Sequence, residues 1–143
     1  MKNLKTITLI LLAASTFLAT SCKEVTGPPT DAQLKQAQYA GTWNLTKIQL
    51  TSYDAKTNSK LEEESIPLTD TWTFANTTIT GTIDDEPISM QYTFPSTNVM
   101  RLTEEGDYMD FDIVNKTSTA FQLKIVDIDE EVKDEVTYHF TKK

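Results

Sequence analysis

The stretch Gly41-Thr42-Trp43-Asn44-Leu45 decides the predicted fold of this chain. It follows a short helix, because Thr30 and Gln33 have the spacing of a capping box at a helix N-terminus. Gly41 suits the end of that helix. Trp43 and Leu45 then alternate with polar residues, as in a β-strand with one buried face. The stretch therefore predicts a helix that runs directly into a first strand.

Seven further strands follow from apolar residues that recur at every second position between turn residues. We predict strand A at about residues 42–51, B around Trp72 and Phe74, C over 79–83, D over 88–94, E over 99–103, F over 109–113, G over 121–128 and H over 136–140. Residues 52–71 are interpreted as a long polar segment between strands A and B. In strand A the apolar positions change parity between Leu45 and Ile48, which predicts a bulge or bend.

Short connections and one apolar face per strand favour closure, because a closed sheet leaves no exposed edges. The predicted fold is all-β: an eight-stranded antiparallel up-and-down barrel with a short N-terminal helix. A two-sheet sandwich built from the same strands is the alternative.

A short helix that runs into Gly41-x-Trp43 resembles the start of lipocalins and their calycin relatives. The chain as a whole resembles the lipocalin-like domain lipoproteins of bacteria. This resemblance implies that Trp43 packs across the closed end of the barrel, beneath the helix. Two features depart from the family: the turn before strand G reads Asn115-Lys116-Thr117 instead of containing Thr-Asp, and the arginine that usually stacks on the tryptophan is missing. Lys142 or Lys143 would take its place.

The first residues have the pattern of an export signal. Lys2 and Lys5 precede a mostly apolar run, 7–18, that is well short of the roughly 20 residues of a spanning helix. Small residues 19–21 then precede Cys22, the only cysteine of the chain, and this arrangement resembles a bacterial lipobox. We expect residues 1–21 to be a lipoprotein signal peptide, Cys22 to be acylated, 22–30 to be a tether and 31–143 to be the barrel domain. The alternative is an ordinary signal peptide cut near Ser21.

These features imply a lipid-anchored protein of the bacterial cell envelope, most consistent with the outer membrane, while the membrane face stays open. The chain has 13 basic and 21 acidic residues, and loss of Lys2 and Lys5 leaves 11 basic and 21 acidic, a net charge of −10. Nucleic acids and anionic lipid surfaces both select basic proteins. We therefore expect no nucleic-acid partner, and membrane contact through the acyl chains alone.

The residue types needed for catalysis are scarce. One histidine, His139, is predicted on the outer face of strand H, which argues against His-assisted nucleophilic catalysis and against a zinc site. Asp110 and Asp112 share a face opposite Met109 and Phe111, so we interpret them as solvated acids of the barrel wall. The sequence predicts a protein that is not an enzyme and has no catalytic residues, metal or cofactor.

Two functions remain. The first is a carrier or sensor that binds a small apolar or amphipathic ligand inside the barrel, and methionines 90, 100 and 109 suit an adaptable lining. The second is a packed barrel that serves as an interaction or accessory module of an envelope complex. The large interior side chains are the candidate ligand-binding residues: Trp72, Phe74, Met90, Tyr92, Phe94, Met109, Phe111 and Phe121.

Acidic residues concentrate in alternate connections, which share one end of a meander barrel. The residues are Glu62, Glu63 and Glu64; Asp84, Asp85 and Glu86; Glu104, Glu105 and Asp107; and Asp129, Glu130, Glu131, Asp134 and Glu135. Such a rim attracts cations, which suggests a cationic amphiphile, weakly bound calcium or a basic protein partner. The alternative is that the acids serve only turns and solubility.

Overall fold

A computed structural model of the protein describes residues 28–143. The predictions for the signal peptide 1–21, for Cys22 and for tether residues 23–27 lie outside the described residues. Helix α1 spans Asp31–Tyr39, and its capping box is formed, because Thr30 Oγ1 accepts from Gln33 N and the Gln33 side chain accepts from Thr30 N. The helix ends where Gly41 takes φ +117°, a backbone conformation that L side chains rarely adopt.

Eight antiparallel strands follow α1 along the chain. Their bounds are β1 Gly41–Asp54, β2 Lys60–Ala75, β3 Thr78–Ile83, β4 Glu86–Ser96, β5 Val99–Glu104, β6 Asp107–Val114, β7 Ala120–Ile128 and β8 Val132–Lys142. Each strand pairs with the next, and β8 pairs with β1, so the sheet closes into a barrel. The predicted up-and-down barrel with one short helix is confirmed, and the sandwich is excluded.

The parity change in β1 is a bulge at Thr46. The pairing register shifts between Leu45 and Lys47 towards both neighbouring strands, β2 and β8. The extra residue returns the apolar side chains to one face on either side of the shift. The predicted irregularity in the first strand is therefore confirmed.

The prediction of a long polar connection between strands A and B is wrong. β1 continues to Asp54, a short turn follows, and β2 begins at Lys60. Every residue from Lys60 to Pro67 is exposed, so the segment has no apolar alternation by which it could be recognised as a strand. Consequently Glu62, Glu63 and Glu64 lie on β2 opposite β1, and not in a loop.

Two of the eight seams are paired over only a short length. β2 pairs with β3 from Trp72 to Ala75, and β6 pairs with β7 from Asp112 to Val114. Both paired stretches lie beside the connections that follow β2 and β6, at the end of the barrel that holds α1. Backbone pairing is therefore complete at that end and stops before the opposite end, which we call the mouth.

The β2–β3 seam is bridged by side chains where its backbone pairing stops. The Trp72 indole N–H donates to Thr82 O at 3.0 Å, and the Asp70 carboxylate accepts from Thr82 Oγ1 at 2.7 Å. Gly81 leaves room for this bridge, since a Cβ there would lie 2.3 Å from Thr71 O and 2.9 Å from the Trp72 ring. The side wall of the mouth is thereby held shut between β2 and β3.

Candidate functional site

Helix α1 covers the closed end of the barrel, and Trp43 fastens it there. Trp43 is 1% exposed, and its indole N–H donates to Tyr39 O in the last turn of α1 at 2.7 Å. Of the two lysines expected to stand where lipocalins carry an arginine, Lys142 lies over the indole, with its Nζ 5.5 Å from the ring centroid. The helix and the strand ends thus form a floor for the barrel.

Aromatic rings fill the barrel above this floor. Phe121 lies edge-on to Trp43 at a centroid distance of 4.8 Å and stacks on Phe140 at 4.7 Å. Tyr92 lies between Phe74 and Phe94, at 5.5 and 5.8 Å from their centroids. Burial raises the pKa of Tyr92 above its usual range, and burial raises that of Tyr39 to about 12. This half of the interior is a packed core.

The mouth half of the interior contains a cavity of about 610 Å³. This volume lies within the range of about 300–1,000 Å³ that is typical of small-molecule sites. Most of the lining side chains are apolar or aromatic, and the polar ones come from the β5–β6 hairpin. The lining residues are Trp72, Ile83, Ile88, Met90, Leu102, Thr103, Glu104, Glu105, Asp107, Tyr108, Met109, Phe111, Leu123 and Tyr138.

The cavity brings together half of the residues proposed from sequence. Trp72, Met90, Met109 and Phe111 line it. The other four, Phe74, Tyr92, Phe94 and Phe121, belong to the aromatic packing of the closed half. Depth along the barrel axis separates the two groups.

Sequence reasoning missed several lining residues of medium size. Ile83, Ile88, Leu102, Leu123 and Tyr138 all line the cavity. Each lies at an even spacing from a core residue of its own strand, respectively Ile79, Met90, Met100, Phe121 and Phe140, so a period-two pattern places them on the inner face. The sequence prediction named the largest interior side chains, which accounts for the four aliphatic residues but not for Tyr138. Their place in the mouth half follows only once the register between neighbouring strands is known.

Four connections meet at the mouth, as the closed strand order requires. They are residues 55–59, 84–85, 105–106 and 129–131. The connections at the closed end read Asn76-Thr77, Thr97-Asn98 and 115–119, and none of them contains an acid. The acidic connections predicted after strands C, E and G therefore do share one end of the barrel, although Asp134 and Glu135, predicted in the last of them, lie on β8.

Three carboxylates stand on the lip of the cavity: Glu104, Glu105 and Asp107. Among residues 28–143, no lysine, arginine or histidine lines it. None of the three forms a salt bridge with another residue in the range 28–143. The lip is consequently a local excess of negative charge above an apolar interior.

Nearby acids outside the cavity are neutralised instead. Asp110 accepts from Arg101 Nε and Nη2, both at 2.7 Å, and this contact holds the pKa of its carboxyl below the usual range. Glu135 lies 2.7 Å from Lys133 Nζ and 3.7 Å from Lys124 Nζ, and its pKa is lowered chiefly by the Lys133 hydrogen bond. Asp110 is therefore an ion-pair partner on the barrel wall.

His139 does not stand beside any catalytic partner in the described part of the chain. Its Nδ1 lies 3.1 Å from the Gln122 side-chain nitrogen, and no partner is found for its buried Nε2. Burial, and then the charge of Lys47, lower its pKa. Residues 28–143 contain no group of three His, Cys, Asp or Glu side chains placed to hold a metal ion.

The described segment has no bilayer-spanning helix, since none there combines sufficient length with sufficient apolar character.

The family model described as the propionyl-coenzyme A carboxylase BT domain matches residues 28–125, from before α1 into β7. No curated protein and no solved structure gives a significant match to the chain.

Proposed function

The chain belongs to the propionyl-coenzyme A carboxylase BT domain family, and from this premise we propose a non-catalytic binding domain whose mouth cavity takes a small apolar or amphipathic molecule. The family is named as a domain of an enzyme and not for an activity of its own, which suits a binding role. One observation carries the proposal: a barrel with a packed floor keeps a cavity of about 610 Å³ above it.

The chemistry of the lining supports a ligand that is mostly apolar. Trp72, Phe111 and Tyr138 form an aromatic inner surface, and Phe111 lies edge-on to Tyr138 at 5.7 Å. An apolar body that displaces water from such surface gains about 25 cal/mol for each Å² that is buried. At the rim, Met109 is 57% exposed although it lines the cavity. A flexible thioether at an opening suits ligands of variable shape.

A neutral fluorescent probe tests this function on the purified protein. N-phenyl-1-naphthylamine has no charge at neutral pH, so its saturable binding reports apolar capture alone. Ile88→Trp, which places an indole inside the cavity, should weaken binding by about tenfold or more, since one methylene in an apolar pocket already changes affinity about tenfold. Leu61→Trp is the matched control, because Leu61 is 59% exposed on β2 and does not line the cavity. Absent binding, or equal weakening by both variants, contradicts the proposal.

A second candidate is an accessory module that contacts another protein, and the family match favours it. Leu61 and Ile66 are exposed apolar side chains on β2, and β2 has no partner strand other than β1 over residues 60–71 of the described structure. Photo-crosslinkers at positions 61 and 66, with position 91 as an exposed control on β4, should yield a discrete adduct in cells only from β2. Identical adducts from all three positions would exclude this surface.

We also propose that the protein is a lipocalin-like lipoprotein anchored in the bacterial envelope. The support is the signal pattern of residues 1–21 before Cys22 and the way α1 leads into Gly41 and the buried Trp43. Acylation at Cys22 would move the protein into a detergent phase, and Cys22→Ser would leave it in the aqueous phase. If the wild type and Cys22→Ser both remain in the aqueous phase, the lipid anchor is contradicted, and the proposed binding function is unaffected.

A further inference from the structure

We propose that the mouth cavity selects amphiphiles with a positively charged head group, such as a quaternary ammonium, over amphiphiles of the same length with a neutral or anionic head. The inference rests on the proposed function and deepens it, since it adds a head-group preference to apolar capture. The supporting observation is the negative charge of the lip carboxylates directly above the apolar walls of the cavity.

The polar part of the lining is confined to one hairpin. Ile83, Ile88 and Leu123 belong to three different strands, and together with the aromatic inner surface they surround the body of the cavity. Thr103, Glu104, Glu105, Asp107 and Tyr108 come from the end of β5, its turn and the start of β6. A ligand with an apolar tail inside the barrel would therefore bring its head group to this single hairpin.

The charge of the hairpin is not cancelled by its surroundings. Arg101 lies on β5 beside this hairpin, and its Nε and Nη2 both donate to the Asp110 carboxylate at 2.7 Å. Its guanidinium also lies over the Tyr108 ring, 4.1 Å from the centroid. The three lip carboxylates are left without an ion-pair partner among residues 28–143. A cationic head is thus the group that the lip lacks.

The two ends of the molecule also differ in charge. Three lysines lie at the closed end. Lys35 donates to Ser96 O at 3.0 Å and Lys116 donates to Gln38. Lys142 lies over the Trp43 ring. The mouth carries the acids of three connections and also Lys56, Lys60 and Lys133, but Lys60 pairs with Glu63 and Lys133 pairs with Glu135. Carboxylates on a low-dielectric wall concentrate cations and repel anions. An anionic head would meet that repulsion at the point where it has to lose water.

Competition against the neutral probe separates this inference from the function beneath it. Three amphiphiles with the same chain length compete with the naphthylamine bound to the full protein, each below its micellar concentration. They are the cation decyltrimethylammonium, the anion decanesulfonate and the neutral decyl glucoside. We expect the cation to displace the probe at a concentration lower than the anion by about tenfold or more, because three carboxylates act on the head group. The gap should narrow between roughly 20 mM and roughly 500 mM salt, since salt screens exposed charge.

A charge-matched pair of triple variants locates the effect. Glu104→Gln, Glu105→Gln and Asp107→Asn together should remove the cation preference, measured within this variant as the ratio of the anion concentration to the cation concentration that displaces half of the probe. Glu62→Gln, Glu64→Gln and Glu131→Gln together change the net charge equally at exposed positions that do not line the cavity, and they should keep most of the preference. Thermal unfolding of both variants checks that each is folded.

The outcomes are distinct. If the wild-type protein fails to bind the neutral probe, the proposed function falls. If it binds the probe but cationic and anionic amphiphiles displace it equally at low salt, the head-group inference is overturned and the apolar site stands. Equal loss of preference in the two triple variants also overturns it, because the net charge of the protein would then explain the selectivity without the lip.

Discussion

Removal of the Trp43 side chain should cost this barrel a large part of its stability. Trp43 is 1% exposed, donates to Tyr39 O at 2.7 Å, and lies edge-on to Phe121 at 4.8 Å. Truncation of a buried tryptophan to alanine costs about 3–5 kcal/mol through lost burial and the cavity left behind. Domains of this size are stable by about 5–15 kcal/mol in total. Trp43→Ala should therefore remove at least about a fifth of the stability of the barrel.

A second substitution at the same position separates packing from hydrogen bonding. Trp43→Phe keeps a ring against Phe121 but removes the indole N–H, so Tyr39 O is left without that donor. An unsatisfied buried acceptor costs about 1–3 kcal/mol. We expect Trp43→Phe to lose this smaller amount.

Urea unfolding followed by far-UV circular dichroism measures both effects. Tyr108→Ala is the aromatic control, because Tyr108 is 61% exposed and contacts the Arg101 guanidinium; it should cost about 0.5–1 kcal/mol, the value of an exposed cation–π contact. A Trp43→Ala variant within about 1 kcal/mol of this control would refute Trp43 as the closure of the barrel floor.

Three further predictions concern the frame around the site. Gly81→Ala should destabilise the barrel by about 1–3 kcal/mol, as overpacking does, because its Cβ would lie 2.3 Å from Thr71 O; unchanged urea unfolding would contradict this. Thr30→Ala should cost about 1 kcal/mol through loss of the α1 cap, and Thr30→Ser should restore most of it. Burial raises the pKa of Tyr39 from 10.0 to about 12, so on raising the pH the Tyr39 hydroxyl loses its proton in the unfolded state first, and the free energy of unfolding should fall between pH 10 and 12. The Tyr39→Phe variant should lose less stability over that interval. An equal loss in both proteins would exclude Tyr39 as the source of the pH dependence.

The sequence was most informative where one face of a strand is buried. In β4, Ile88 to Phe94 alternate without interruption, and the predicted strand lies inside the observed one. The parity change after Leu45 likewise identified the bulge at Thr46. In both places burial of one face imposes a two-residue period that can be read directly.

It failed where a strand buries neither face. Residues 60–67 of β2 are all exposed, so their strand conformation comes from pairing with β1, which composition does not record. Pairing also determines how far each seam extends. The short β6–β7 seam, from Asp112 to Val114, stops before the mouth, and nothing in either strand's own pattern reveals it.

The candidate site was half predicted for a related reason. Alternation distinguishes the inside of a barrel from the outside, but it carries no information about depth along the axis. Phe121 and Leu123 both point inwards, yet Phe121 packs against Trp43 and Leu123 lines the cavity. Depth follows only when the register of neighbouring strands is known. The choice of large side chains then favoured the packed half over the mouth.

Methionine methyl NMR tests the central claim, a ligand bound in the mouth cavity, most directly. Met90 and Met109 line the cavity, whereas Met100 is 0% exposed and does not line it. With ¹³C-methyl methionine, titration of the neutral naphthylamine should shift the Met90 and Met109 signals saturably, because the ring current of the bound aromatic acts on both, and should leave Met100 in place. Unmoved Met90 and Met109 signals, or a shift of Met100 as large as theirs, would contradict ligand binding at the mouth.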